Sequence, residues 1–260
     1  MTLAHKFLTE THSKMEDNKS SKKITRVGDD GSASSPEAGT FVASAESKAQ
    51  AKNLRIMAII AFVAAIGSEI WAIMLLQKPP VSTTWLIVLV VADLIFAVAG
   101  SLLWQKANRF DPASERDKVR FFIQNQLGLI LAILAFLPLV ILIFTNKNLS
   151  GKQKGLVGSI AVIALIIASV VGIDFNPPSQ EQYAEQTKQV QDLMGGVNHV
   201  YWTKSGKSYH LYQDCSYINS ERTNEIFEGT VAQARELKNI TDLCNRCESK
   251  RVKEKEAGGQ

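Results

Sequence analysis

Between Leu54 and Ile173 the chain carries four long apolar stretches, at about 54–76, 84–104, 121–144 and 155–173. Each meets the roughly 20 residues that a helix needs to cross about 30 Å of hydrocarbon. Their apolar side chains run right round the helix rather than down one stripe, which excludes the amphipathic helices of a soluble bundle. The overall composition, 46% hydrophobic and 21% charged, would suit an ordinary soluble protein, but that average hides a segregation into polar ends and an apolar middle.

The polar ends set the rest of the organisation. Residues 1–52 are rich in Ser, Lys, Asp, Glu, Gly and Ala, and so offer too little apolar surface to offset the entropy of ordering; they are expected to be a disordered tail. No apolar region of a cleavable signal peptide precedes Leu54, so the first stretch would act as a signal anchor. The four spans fill 53–174, a helical spacer 175–197, a small domain 198–250 and a disordered tail 251–260. The expected fold is thus mainly α: a four-helix transmembrane bundle, a spacer helix and a small α+β zinc-binding domain.

Orientation follows from Lys and Arg near the spans. One side carries Lys48, Lys52, Arg55, Lys106, Arg109, Arg116, Lys118, Arg120 and Lys188, and the other Lys78, Lys147, Lys152 and Lys154. The bias of nine against four places both termini in the cytoplasm of a plasma (inner) membrane protein. The external loops are too short to fold into a sensing domain, and a net charge of +4 without a basic stripe argues little for nucleic acid.

After the prolines of FNPPS, Ser179 is placed as the N-cap of a helix to about Met194, which Gly195-Gly196 ends. Tyr183, Val190, Leu193 and Met194 form a thin stripe on it; a stiff solvated spacer is expected, with weak pairing to a second copy as the alternative. From His199 the period changes to two, and HVYWTK, Ser205-Gly206 and KSYHL read as a hairpin whose glycine supplies a positive φ. Thr230 and Gln233 form a capping-box pattern over VAQARELK.

The chain's three cysteines all lie in its last quarter, and an odd number cannot close a disulfide framework. Cys215 follows His210 at His-x4-Cys spacing, and Cys244-Asn245-Arg246-Cys247 is a CxxC knuckle. One imidazole and three thiolates make the Cys3His shell of a closed structural zinc site, while thiolates alone would also suit Cu(I) or an iron–sulfur cluster. A domain this small commonly needs such a staple, and losing the ion should unfold it.

The segment YWTKSGKSYHLYQDCSYI, followed by GTVAQARELKNITDLCNRC, resembles a small bacterial module similar to the metal-binding domain of Ada-type proteins. The resemblance covers 199 to about 248 and implies ligation by His210, Cys215, Cys244 and Cys247. Ada-type domains use four cysteines, one of them a methyl acceptor, so His210 in the set argues against methyl transfer.

Two carboxylates lie within the spans, Glu69 in the outer half of the first and Asp93 near the middle of the second. An ionised carboxylate there costs about 2.5–3.5 kcal/mol on insertion scales. Each is expected to be protonated, paired or facing a wet interior, either as part of a proton or cation path or as an interior helix contact. Gln124, Asn125 and Gln126 could bond across helices, and the small residues Ala164, Ala168 and Gly172, with Ala97 and Ser101, permit close approach in a compact bundle, with a dimer as the further option.

There is no Walker loop, GxSxG, HExxH, kinase set or internal repeat, and no enzyme is expected. The leading expectation is a membrane protein with a zinc head for docking or regulation, its partners the lipid bilayer, a cytoplasmic protein and a second copy. The alternatives are a small transporter using Glu69 and Asp93, and nucleic-acid binding by Lys204, Lys207, Arg222, Arg235, Lys238, Arg246, Lys250 and Arg251 around the site.

Overall fold

A computed structural model of the chain describes residues 22–27 and 41–258 and divides them into two compact units. The chain is mainly helical, and four helices are long and apolar enough to cross a membrane: α1 (Ala45–Leu76), α2 (Thr83–Phe110), α3 (Lys118–Thr145) and α4 (Gly151–Gly172). The starts of α1, α3 and α4 are fixed by side chains that accept otherwise unpaired amides. Ser44 Oγ accepts from Ser47 N at 3.0 Å, Asp117 Oδ1 from Arg120 N at 3.1 Å, and Ser150 and Gln153 form a reciprocal capping box.

Large apolar side chains line the outside of this unit as well as its interior, and many of its inner contacts are made by small residues. Ala58, Ala65, Ala97, Ala132, Ala161 and Ala168 face inward, while Ile60, Val63, Trp71, Trp85, Ile95 and Leu134 point outward at 61% to 66% exposure. Small inner residues let the helices approach, and the large ones form an apolar outer surface of the kind that lipid covers. The closest approach joins three helices. A Cβ at Gly172 would lie 2.6 Å from the backbone of Gly128 and Leu129, and one at Gly128 would lie 2.7 Å from Ser101 Oγ.

Polar contacts close the two ends. At one, Arg55 pairs with Asp111 at 2.7 Å and Tyr183 donates to the Arg109 carbonyl at 2.6 Å. At the other, Asn146 Nδ2 donates to the Leu76 carbonyl at 2.8 Å, and Gln153 Nε2 donates to Thr83 Oγ1 at 2.8 Å.

Helix α5 (Gln180–Met194) starts at Ser179, whose Oγ accepts from Gln182 N at 3.1 Å. It is not a solvated spacer. Tyr183 is fully covered and its ring lies 4.6 Å from that of Phe41, while Val190, Leu193 and Met194 belong to the core of the second unit.

The second unit contains β1 (Lys23–Arg26), β2 (Val200–Trp202), β3 (Ser208–Tyr209), β4 (Glu225–Gly229), α6 (Val231–Lys238), β5 (Asp242–Leu243) and α7 (Asn245–Gly258). One sheet has the order β1-β4-β2, with β1 parallel and β2 antiparallel to β4, and a second pairs β3 parallel with β5. Its core is built on Trp202, Tyr209, Leu211, Ile218, Ile226 and Ile240.

Three expectations are corrected here. Residues 23–26, read as disordered tail, form a strand held by Thr25 to Glu225 at 2.6 Å and Arg26 to Glu228 at 3.0 Å, and residues 45–52 are helical; the rest of the tail before Phe41 lies outside the described residues. The C-terminal residues 251–258 continue α7, tied by Arg251 Nε to the Leu193 carbonyl at 2.8 Å, while 259–260 lie outside the described residues. The hairpin exists only as the Tyr201–His210 pair, with N–H to O distances of 2.8 and 2.7 Å, because β2 takes β4 as its main partner. Its turn needs no positive φ. Gly206 N donates to the Thr203 carbonyl at 3.2 Å, and a Cβ on Gly206 would meet Thr203 Oγ1 at 2.7 Å.

The helix contacts predict an asymmetry between glycines. Gly172→Ala drives a methyl into α3 backbone and should cost about 1–3 kcal/mol, whereas Gly67→Ala, with no atom within 4 Å, should stay within about 0.5 kcal/mol of the parent. Thermal unfolding of the detergent-solubilised full-length protein followed by circular dichroism measures both.

Candidate metal centre

The four donors come from three separate places in the second unit. His210 directly follows β3 and is fixed by its backbone pairing to Tyr201. Cys215 sits in a turn in which its own N–H donates to the Tyr212 carbonyl at 3.2 Å and its carbonyl accepts from Asn219 at 2.8 Å. Cys244 follows β5, and its N–H donates to the Tyr209 carbonyl at 2.9 Å. That bond ties the knuckle to the strand that delivers the histidine.

Cys247 lies in the first turn of α7, so the CxxC knuckle is the beginning of a helix. The partial positive charge of a helix N-terminus favours thiolate there. Between the knuckle and β4, α6 is set by the reciprocal capping box of Thr230 and Gln233 at 3.2 and 2.8 Å, as the sequence pattern predicts. It ends at Asn239 in the left-handed region, φ 53°.

The ligating atoms of His210, Cys215, Cys244 and Cys247 all lie within 4.8 Å of one another, and all four residues are buried. Nitrogen and sulfur donors at about 2.0–2.3 Å from a tetrahedral ion lie about 3.6–3.8 Å apart. The His210 Nδ1 to Cys247 Sγ distance is 3.7 Å. The donor set therefore fits a single metal ion, and with four buried protein donors it leaves no position open to water or substrate.

Burial pushes the His210 imidazole down to about 4 and the Cys247 thiol up to about 12. At neutral pH the imidazole lone pair is free to coordinate, whereas the thiol proton must leave when an ion binds. The Leu211 N–H points at the Cys247 sulfur and favours its ionised form. No sequence signal marks that contact, because it is made by backbone.

The other residues singled out by the sequence are not brought to this centre. Glu69 and Asp93 are buried in the helical unit. There Asn125 Oδ1 accepts from Asn108 Nδ2 at 3.3 Å, the Gln124 carbonyl accepts from Trp104 Nε1 at 2.7 Å, and Gln126 Nε2 donates to the Asp174 carbonyl at 3.0 Å. Asn108 was not indicated by hydropathy, since it lies beyond the apolar stretch ending near 104, yet it is fully buried. Of the basic residues around the head, Arg235 is buried in the core and Arg251 is committed to the Leu193 carbonyl, which weakens the case for a nucleic-acid surface.

No family model matches the chain, and no match is found among curated proteins or solved structures. The functional reading therefore rests on residues and geometry.

Because thiol protons are displaced on binding, the apparent metal affinity should rise with pH by about tenfold or more per unit between about pH 6 and 8. Competition between the full-length protein and a chromogenic chelator measures it. An affinity flat over that range would mean that the thiols are not ligands.

Proposed function

We propose that the chain is an integral membrane protein, anchored by four helices in the plasma membrane with both termini cytoplasmic, whose head is a structural zinc module used for docking or regulation. The observation that carries this reading is the meeting of one imidazole and three thiols at a single buried point in a chain with four membrane-capable helices. Zinc suits the set because it takes mixed nitrogen and sulfur donors in a tetrahedron, and a site without an open position stabilises a fold instead of activating water. A reducing cytoplasm also suits three unpaired cysteines.

The head resembles the Ada-type metal-binding module with His210 in place of one cysteine, so the role carried over is metal binding and not methyl transfer. Next to the knuckle, a shallow trough of about 770 Å³ is lined by Asn245, Arg246, Ser249, Lys250, Lys253, Glu254 and Ala257. Its three basic groups favour an acidic segment of a cytoplasmic protein as the docked partner. The Cys3His set commits every thiol, leaving none as a nucleophile, and the role is read as non-enzymatic.

Substituting one donor tests the reading. Cys244→Ser is expected to lose bound metal, by elemental analysis, and to make the head residues 198–258 sensitive to limited proteolysis, while the four helices still insert and resist carbonate extraction. Full metal content in that variant would contradict the proposal.

A further inference from the structure

The polar groups buried among the four long helices form a set of their own, independent of the head. On α2, Asp93, Ser101 and Asn108 are 0%, 2% and 0% exposed. From Asp93 to Asn108 the helix advances about 22 Å at about 1.5 Å per residue. Among the described residues, both carboxylate oxygens of Asp93 lack a hydrogen-bond partner, and so do Asn108 Oδ1 and, from α3, Asn125 Nδ2 and Gln126 Oε1. Buried polar atoms are nearly always paired, so unpaired ones point to a role such as binding a proton, water or ion.

The surroundings of Asp93 define what that is. Its electrostatic neighbour is the buried Glu69 carboxylate of α1. Nothing basic offsets the two: α2 has no Lys, Arg or His between Thr83 and Lys106, α3 none between Arg120 and Thr145, and α4 none between Lys154 and Gly172. On α1 the basic residue nearest in sequence, Arg55, is held by Asp111 at 2.7 Å. The site lacks positive charge and must take it from outside the chain.

Ligand number decides between a proton and a metal ion: two carboxylates fall well short of the six to eight oxygens that hold a bare calcium ion. A proton needs one oxygen. Toward the end formed by residues 77–82 and 146–150, Leu76, Leu86, Val90, Leu139 and Ile143 are buried and apolar, whereas the unpaired polar atoms of Asn108, Asn125 and Gln126 lie toward the opposite end.

We propose that Asp93 and Glu69 form a proton-binding site within the helices, and that Ser101, Asn108 and Asn125 line the route by which the proton reaches it. The site is the kind a proton-coupled membrane process requires. It would stand or fall without any change to the metal reading of the head.

A hydrophobic carbodiimide tests it. The O–H of a carboxylic acid adds across one C=N bond, the proton going to nitrogen and the carboxyl oxygen to the central carbon; the acyl group then migrates to nitrogen, leaving a stable N-acylurea. The ionised carboxylate has no proton to start this addition. In the full-length protein reconstituted in liposomes, mass spectrometry should find the adduct on Asp93, with a yield falling about tenfold per pH unit above a midpoint and unchanged when sodium replaces choline at fixed pH. Asp93→Asn should lose that adduct, Glu69→Gln should keep it with a shifted midpoint, and Asn108→Leu should delay its response to a jump in bath pH. The proposal is overturned by native protein, inserted in the bilayer, that gives no Asp93 adduct at any pH, by a yield indifferent to pH, or by protection with sodium. An Asn108→Leu response as fast as the parent's would overturn the assigned route.

Discussion

Removal from water is the constraint that both units answer. In hydrocarbon a backbone has no solvent to pair its N–H and C=O groups, so a spanning segment must satisfy them internally, as a helix does. The four long helices meet that demand with many alanines and glycines at their inner contacts, a few large residues such as Phe136 and Leu139 beside them, and isoleucine, valine and tryptophan on the outer surface. In the head the same constraint falls on polar side chains. His210, Cys215, Cys244 and Cys247 are buried, and what compensates their lost hydration is their shared point of convergence.

The head is held together around the four donors by a buried apolar core. Trp202, Tyr209, Ile218 and Ile226 give it more buried apolar mass than its length suggests, and it borrows still more from Val190 of α5 and Val27 beside β1. The four donors come from pieces that this core already brings together, the turn after β3, the turn at Cys215 and the start of α7.

Much of this was legible in the residues. Four apolar stretches of about 20 residues announce their helices, because length and all-round hydrophobicity act locally. The capping boxes at Ser150 and Thr230 and the cap at Ser179 are equally local, although only the last two were picked out by pattern. The donor set was legible because rare residue types at ligand spacing carry their chemistry with them. What escaped was long-range. Strand β1 pairs with residues some 200 positions away, by Thr25 to Glu225 and Arg26 to Glu228, and nothing in its composition indicates a partner. Helix α5 looked solvated since its stripe is thin, yet Tyr183 and Val190 are both fully covered. Asn108 escaped because hydropathy ends the span at about 104 whereas α2 runs to Phe110.

The central claim is that one ion joins the four donors of the head. X-ray absorption at the zinc edge, on full-length protein purified without added metal, tests it most directly. The account predicts one zinc per chain bound by three sulfurs at about 2.3 Å and one imidazole nitrogen at about 2.0 Å. A chain that folds its head with no stoichiometric metal, or a spectrum dominated by oxygen ligands, would contradict it.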